Sequence, residues 1–486
     1  MVATAPWQRW LPSWPWIIGL AAMLRALASP LALLHDPDTY MHIAAGRWML
    51  AHWALPTADP FSYTMVGATW HPSEWLGELI LAVVYAASGW GGVIVLTAAF
   101  FGAAIGLLTW FLSRRLEVLP ALIAAIAGLM LVLPHLLARP HILALPLMVL
   151  WCGVLIAARD DEHGPPWALL PIMALWANVH ASFLFGIALA GYLAGEAVLY
   201  PTTDTIRVAE IRRWGLFVVV AVAASLVNAN GIVAITQPLQ LMTMPALQSG
   251  FGEWRAFDFG EFPALAVWLV GAAALLAVGW RGLRWTRIGL LAMLAYMACA
   301  HVRHADLLGL VGPLVIAAGF GRRLAGLTQP AAASPVLRAA AWLARPAPFP
   351  GRILALGLGL AVSLPVLLRP VDRADDTVTP EAALAAARRL DLTGRVFNSE
   401  AFGGYLVFVG VPSFIDGRIE LYGNDFLAAY LAAERGDLKA FATLLDHYDA
   451  SWALLQAQSP MVAALDRLPG WHRVYADDQA VIDARN

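Results

Sequence analysis

The chain has 486 residues, of which 60% are hydrophobic and 13% are charged, and its mean hydropathy is +0.68. An ordinary soluble domain is about half apolar and about a quarter charged, so this composition excludes a disordered chain, a fibrous repeat and a soluble enzyme. The formal net charge of -2, with no long basic stripe, gives no indication of a nucleic acid partner. The sequence predicts a polytopic α-helical membrane protein.

The acidic residues divide the chain into two predicted domains. Of the 33 acids, 16 precede residue 371 and 17 follow it. A membrane span needs about 20 apolar residues, and the runs after Leu368 are far shorter. We therefore predict a transmembrane domain at 1–370 with about ten to twelve spans. A small α/β domain, exposed to water, is predicted at 371–486.

The first predicted loop, at 35–75, follows the first apolar block (14–34) and is rich in ionisable groups. Its candidate functional residues are His35, Asp36, Asp38, His42, Arg47, Asp59, His71 and Glu74, with Glu78 just beyond it. Ionisable side chains at the mouth of a membrane helix are costly unless they face water, a partner or a ligand. The alternative is a solvated loop whose acids cap helices, with Asp38 capping a helix that begins at Thr39.

A carboxylate pair at this position suits two chemical roles. One carboxylate could take a proton from an acceptor hydroxyl during displacement at a sugar carbon. The pair could instead hold a divalent cation, magnesium or manganese, which neutralises a departing phosphate. We predict Asp36 and Asp38 as the catalytic residues, and the same two with His42 as candidate metal ligands. The D-x-D spacing by itself is a weak signal.

Later apolar blocks supply the remaining spans. The block at 76–112 is too long for one span, but two spans would place Arg114 and Arg115 outside. We therefore predict an interfacial or re-entrant helix at 75–89, followed by a true span. Further blocks lie at 118–136, 141–158, 167–200, 214–227, 262–280, 288–302, 305–320 and 351–369.

Arginines between these blocks predict the orientation. Cytoplasmic loops carry an excess of Lys and Arg, and the arginines fall on one side of the predicted spans. They are Arg207, Arg212, Arg213, Arg281, Arg284, Arg287, Arg322, Arg323, Arg338 and Arg345. The first loop and the C-terminal domain are then outside the cytoplasm.

Other polar residues are predicted on the same outer side as the first loop. They are Arg139, His141, Asn178, His180, Glu253, Arg303 and His304. Together with the loop residues His35, His42, Arg47, Asp59 and Glu74, they are our candidate substrate-binding groups. An arginine fork fits the phosphate of a lipid-linked headgroup. For each residue alone, the alternative is anchoring at the membrane interface or snorkelling.

The C-terminal domain alternates predicted helices with strands, which is typical of a small α/β fold. A helix at 379–390 precedes strands at 394–398, 411–416, 451–456 and a final pair within 471–483, with helical stretches at 425–446 and 459–467. Asp416 and Arg418 form a charged turn, either a self-contained ion pair or a site of acceptor recognition. The segment Asn398–Tyr405 reads as a helix start that could receive an anion.

The layout resembles the GT-C superfamily of polyprenyl-phosphate-sugar-dependent glycosyltransferases. The segments that carry this resemblance are HIAAGRWMLAHWALPTADPFSYTMVGATWHPSEWLGE, LWANVHASF and FIDGRIELYG, which are similar to bacterial GT-C-like membrane proteins. The resemblance implies that Asp36 or Asp38 occupies the catalytic first-loop position, with Asp59 as the second loop acid. It also implies a bacterial inner membrane location. The Trp-Trp-Asp signature of oligosaccharyltransferases is missing from the C-terminal domain, which argues against transfer of whole oligosaccharides to Asn.

These observations predict an inverting glycosyltransferase that moves a hexose or pentose from a polyprenyl-phosphate donor. The acceptor could be a lipid, a polysaccharide or a protein, at the outer face of the membrane. Two alternatives stay open at this point. The first is a transporter or lipid flippase, although we find no hydropathy repeat of the kind that transporters show. The second is a GT-C-like envelope-assembly protein that has lost its chemistry.

Overall fold

A computed structural model of the chain describes residues 10–200, 204–250, 254, 256–260, 262–324, 340 and 342–486. The helices of the N-terminal part are α1 Trp14–Leu27, α2 Pro37–His52, α3 Trp75–Ser113, α4 Val118–Val132, α5 Pro140–Asp160, α6 Leu170–Val179, α7 Phe183–Leu199, α8 Asp204–Ser225, α9 Val233–Met242, α10 Pro245–Gly250, α11 Pro263–Gly279, α12 Trp285–Ala300, α13 Ala305–Leu324 and α14 Phe349–Leu368. The C-terminal part contains α15 Glu381–Arg389, β1 Arg395–Asn398, α16 Glu400–Phe408, α17 Ile419–Glu434, α18 Leu438–His447, β2 Ala450–Gln456, α19 Pro460–Leu465, β3 Trp471–Ala476 and β4 Ala480–Arg485.

The helices confirm a polytopic membrane protein. Within the described residues, six helical segments are long and apolar enough to cross a membrane, and four shorter ones are also apolar. The count of ten to twelve spans stays a prediction. The long helix α3 is broken at Gly89, which has a φ of 57°. A glycine adopts this backbone angle at little cost because it has no Cβ. The break lies at the predicted end of the interfacial helix at 75–89.

The predicted arginine-rich side forms one end of the helix bundle. Arg284, Arg287 and Arg322 line one small cavity there, together with Asp160 at the end of α5. Arg115, just after α3, pairs with the neighbouring Asp161. Since α3 and α5 begin beside the first loop, their arginine-bearing ends lie at the opposite end of the bundle.

The C-terminal part is a mixed four-stranded sheet of order β1-β2-β4-β3 with helices on both faces. Strands β1 and β2 are parallel, while β4 is antiparallel to both β2 and β3. Alternation along β1 sends Val396 into a core with α15 and α16, and Phe397 into a core with α17 and α18. This confirms the small α/β fold; the boundary at 370/371 stays a prediction.

The predicted strand at 411–416 is wrong. Phe414 and Ile415 are fully buried, as their apolar character indicates, but the backbone there makes only an isolated bridge from Ser413 to Ser62 of the first loop. The segment then turns so that Asp416 can meet Arg418. Burial of a short apolar run therefore comes here from aromatic packing and not from a strand ladder.

Helix α2 packs directly against α16 and against the turn before α17, and one glycine permits each contact. A Cβ at Gly404 of α16 would lie 2.0 Å from the carbonyl oxygen of Pro37. A Cβ at Gly417 would lie 1.8 Å from Oδ1 of Asp38. The C-terminal domain thus covers the first turn of α2, which is where the predicted catalytic acids stand.

Candidate active site

Asp36 is fixed at the start of α2 by an arginine from the start of α5. It caps the helix, with Oδ1 accepting from the backbone N–H of Asp38 at 3.2 Å, so the predicted cap at Asp38 is wrong. Arg139 Nη2 donates to Asp36 Oδ1 at 2.6 Å, and Arg139 Nε contacts Oδ2. The Asp36 side chain is 0% exposed. Its carboxylate is therefore held by a bidentate, charge-assisted pair and is shielded from solvent.

Asp38 shares the same arginine but is more accessible. Its Oδ2 lies 3.2 Å from Arg139 Nη1, and its side chain is 18% exposed. Gly417 packs against its other oxygen, Oδ1. Arg139 consequently joins the two predicted catalytic acids, and only the second of them can be reached from outside.

Glu400 is a third carboxyl at this site, and sequence reasoning missed it. It opens α16, the helix that rests on α2. Burial raises the pKa of Glu400 to about 8, and the charge of Asp38 adds to the rise. The predicted anion at this helix start gains no support, because Glu400 already places a carboxyl there.

Behind the first acids lies a buried group of alternating histidines and glutamates. His42 Nδ1 lies 3.1 Å from Glu78 Oε1, and His42 Nε2 lies 3.9 Å from Glu74. Glu74 in turn approaches His180 Nε2 at 3.2 Å. The backbone N–H of Ser182 donates to His180 Nδ1, which assigns the proton of a neutral His180 to Nε2.

Burial and neighbouring charges shift the pKa values of this group. Burial opposes a charge on His42, but the hydrogen bond that it donates to Glu78 and the charges of both glutamates outweigh burial and raise the His42 pKa to about 9. Burial also raises the pKa of Glu74 to about 7. For His180, burial and the charges of His141 and Arg303 hold the pKa well below its ordinary value. A cationic His42 therefore faces a neutral His180 across Glu74.

Cationic groups gather on the His180 side. The rings of His141 and His180 have centroids 6.1 Å apart. Arg139 and Arg303 both lie close enough to lower the pKa of His180 by their charge. Arg303 is held over the ring of Trp254 at 4.7 Å. His304 lies next to it, with Nδ1 3.3 Å from the carbonyl oxygen of Met297. The structure thus places Arg139 and His180 in direct contact with acids of the first loop. Substrate binding by these groups stays a prediction.

Asp59 occupies a buried ion pair and not the open mouth. Its side chain is 0% exposed and accepts a 2.5 Å hydrogen bond from Arg418 Nη1. Arg418 also binds Asp416 through Nε and Nη2, at 2.8 and 2.7 Å. Of the two readings of the Asp416–Arg418 turn, the geometry favours the ion pair. Substrate binding by Asp59 gains no support.

The other predicted residues lie at the margin of the site. His35 is exposed and meets Asp376 at 3.3 Å. Arg47 stacks on Phe408 and Tyr85, at 4.3 and 4.7 Å from the ring centroids. Asn178 accepts from Trp75 Nε1 at 2.8 Å and donates to the backbone, so it ties α6 to the start of α3. Glu253 lies outside the described residues.

The geometry does not fit the predicted metal site. No three His, Cys, Asp or Glu side chains in the described part of the chain are placed to hold a metal ion. Asp36 is instead hydrogen-bonded to Arg139, and His42 is hydrogen-bonded to Glu78. Magnesium or manganese at Asp36, Asp38 and His42 stays a prediction.

Comparisons with known proteins show the fold. No protein-family model matches the chain, and no curated protein sequence matches it. The archaeal oligosaccharyltransferase AglB from Archaeoglobus fulgidus, in complex with an inhibitory peptide and a dolichol-phosphate, aligns over 97% of this chain and 74% of its own, with a TM-score of 0.56 and 11% identity. A second structure of that oligosaccharyltransferase, tethered to an acceptor peptide, aligns over 96% and 74% at a TM-score of 0.49 and 11% identity. ArnT from Cupriavidus metallidurans, bound to undecaprenyl phosphate, aligns over 96% and 97% at a TM-score of 0.45 and 14% identity.

The alignment with AglB confirms the predicted fold resemblance. The chain is a multi-pass membrane protein that shares its fold with the AglB structure. At this low identity the likeness concerns the fold alone, and the function must be argued from the site.

Proposed function

We propose that this protein is an inverting glycosyltransferase that moves a sugar from a polyprenyl-phosphate donor to an acceptor hydroxyl. One observation carries the proposal: Arg139 joins a buried carboxylate, Asp36, to an accessible one, Asp38, at the first turn of α2. This arrangement supplies a base and a phosphate-binding cation within one cluster, on a fold shared with a glycosyltransferase.

Asp38 is the proposed general base. It is the accessible member of the pair, and it lies 3.2 Å from Arg139 Nη1, the cation proposed to bind the phosphate. As the acceptor oxygen attacks the anomeric carbon, its proton passes to Asp38. The bond between the anomeric carbon and the phosphate oxygen breaks on the opposite side of the sugar. One C–O bond forms and one breaks, and the configuration inverts.

The departing lipid phosphate requires positive charge. Arg139 and Arg303 supply it, since both place positive charge beside His180. Placing donors where charge develops is the largest single contribution in many enzymes. Asp36 holds the Arg139 guanidinium in place, so we assign it a positioning role.

The fold and the surroundings of the site support the proposed donor class. The site lies at the ends of helices that are long and apolar enough to cross a membrane, so a lipid-linked substrate can reach it from the bilayer. The AglB structure contains a dolichol-phosphate. We therefore propose a polyprenyl-phosphate-linked hexose or pentose as donor. A lipid, polysaccharide or protein acceptor at the outer face of a bacterial inner membrane remains part of the proposal.

The test measures release of polyprenyl phosphate. The full-length protein, in membranes, is incubated with a panel of polyprenyl-phosphate hexoses and pentoses, and free polyprenyl phosphate is quantified. We expect release with at least one donor and its loss in Asp38→Asn. Arg281→Gln, at the opposite end of the bundle, is the matched control and should retain activity. Equal release by Asp38→Asn and the unaltered protein would remove the mechanism.

A further inference from the structure

A cavity larger than the one lined by Arg284 and Arg287 lies at the same end of the helix bundle, opposite to the candidate active site. It has a volume of about 290 Å³ and opens between the last turns of α3 and α5 and the last part of α13. Its inner wall is apolar, formed by Trp110, Phe111, Val154 and Leu314. Trp110 is 41% exposed, so part of the ring faces outward from the bundle.

The rim of this cavity carries two arginines and two aspartates. Arg114 and Arg115 follow directly on the apolar helix α3. Arg115 is neutralised by Asp161, which accepts from both of its terminal nitrogens at 2.7 and 2.6 Å. Asp160, on the same rim, pairs with Arg287 at 3.0 Å. The acids of the rim are thus already matched by other arginines.

Arg114 is the exception. Its guanidinium lies over the ring of Trp110, 4.8 Å from the centroid, and no carboxylate in the described part of the chain forms an ion pair with it. His163 lines the same rim and is exposed. An exposed cation therefore stands directly above an apolar cavity, at the point where a membrane helix ends.

We infer that this cavity binds an anionic phospholipid. The lipid phosphate lies on Arg114, which forms no ion pair within the described residues, and one acyl chain lies against Phe111, Val154 and Leu314. Basic pockets between membrane helices are suited to such headgroups. The inference is independent of the proposed sugar transfer, because the two sites lie at opposite ends of α3 and share no residue.

The test measures lipid retention by the full-length protein. Purified protein is delipidated in detergent and exposed to equal amounts of phosphatidylglycerol and phosphatidylcholine, and the retained lipids are counted by native mass spectrometry. We expect phosphatidylglycerol to be preferred. Arg114→Gln should lower that preference about fivefold, as expected for one arginine at a membrane surface.

Arg281→Gln is the matched control. Arg281 is also exposed and also lies over a tryptophan, Trp280, which is likewise 41% exposed, but neither residue lines the cavity. Equal losses in both variants, or no loss in either, would overturn the inference. Displacement of phosphatidylglycerol by millimolar inorganic phosphate would also overturn it, because the site would then be one for a free anion.

Discussion

Arg418 and Asp59 form a buried ion pair that ties the C-terminal domain to the first loop across 359 positions of sequence. Their side chains are 1% and 0% exposed. Ser62 donates a hydrogen bond to Asp59, and Tyr422 donates one to Asp416, which also binds Arg418. The same contact brings the backbone at Gly417 against Asp38. An interaction that has no direct part in the chemistry therefore positions the proposed base.

We expect Arg418→Met to destabilise the protein strongly. It would leave Asp59 and Asp416 buried without a cation, and breaking a buried pair in this way costs about 3–5 kcal/mol. The free energy of unfolding, or the thermal midpoint in detergent, measures the loss. Arg485→Met is the control, since Arg485 and Asp446 form an exposed pair worth less than about 1 kcal/mol. Equal losses in the two variants would contradict the structural role.

This pair also shows where sequence reasoning ends. The strands at 394–398 and 451–456 are predicted correctly, because apolar and β-branched residues determine them locally. Asp36, Asp38 and Arg139 are predicted in one mouth because each lies beside an apolar span. The pairing of Asp59 with Arg418, and the effect of the Asp38 charge on Glu400, depend on how distant segments pack, which neither spacing nor composition indicates.

Substitutions of the two first-loop aspartates, Asp36 and Asp38, should have different effects on turnover and stability. Asp38→Asn removes the proposed base, and we expect turnover to fall by about 10²- to 10⁴-fold, with the thermal midpoint nearly unchanged. Asp36→Asn weakens the helix cap and the grip on Arg139, so it should lower both the thermal midpoint and the turnover. Donor turnover and thermal unfolding are measured on the same preparations. A drop in the thermal midpoint for Asp38→Asn alone would reverse our assignment of roles.

Gly417 should be intolerant of a single methyl group. A Cβ at this position meets Oδ1 of Asp38 at 1.8 Å, so Gly417→Ala must displace the carboxylate or the turn that carries Arg418. We expect turnover to fall by about tenfold or more, since small misplacements of reacting groups are costly. Gly191→Ala, where nothing lies within 4 Å of the added Cβ, serves as control. Full activity in Gly417→Ala would show that the first turn of α2 does not need this close packing.

Stability should fall as pH rises from about 6.5 to about 9. The folded-state pKa values of Glu74, Glu400 and His42 are raised to about 7, 8 and 9, respectively. Across this range these three groups hold more protons in the folded protein than in the unfolded chain, so each rise in pH favours unfolding. At lower pH the lowered pKa values of His180 and His304 act in the opposite direction. Thermal midpoints measured between about pH 6.5 and 9 test the slope. Glu400→Gln should flatten it below pH 8, and an unchanged slope in that variant would exclude a contribution from Glu400.

The orientation of the bundle decides which compartment the site serves. Val66, in the first loop, is 76% exposed, whereas the exposed His163 lies at the arginine-rich end. In a Cys299→Ala background, we expect Val66→Cys to react with an impermeant maleimide on intact cells. His163→Cys should react only after permeabilisation, because arginine-rich loops remain in the cytoplasm. Cys152 is fully buried and gives little background. The reverse labelling pattern would place Asp38 in the cytoplasm and would exclude transfer at the outer face.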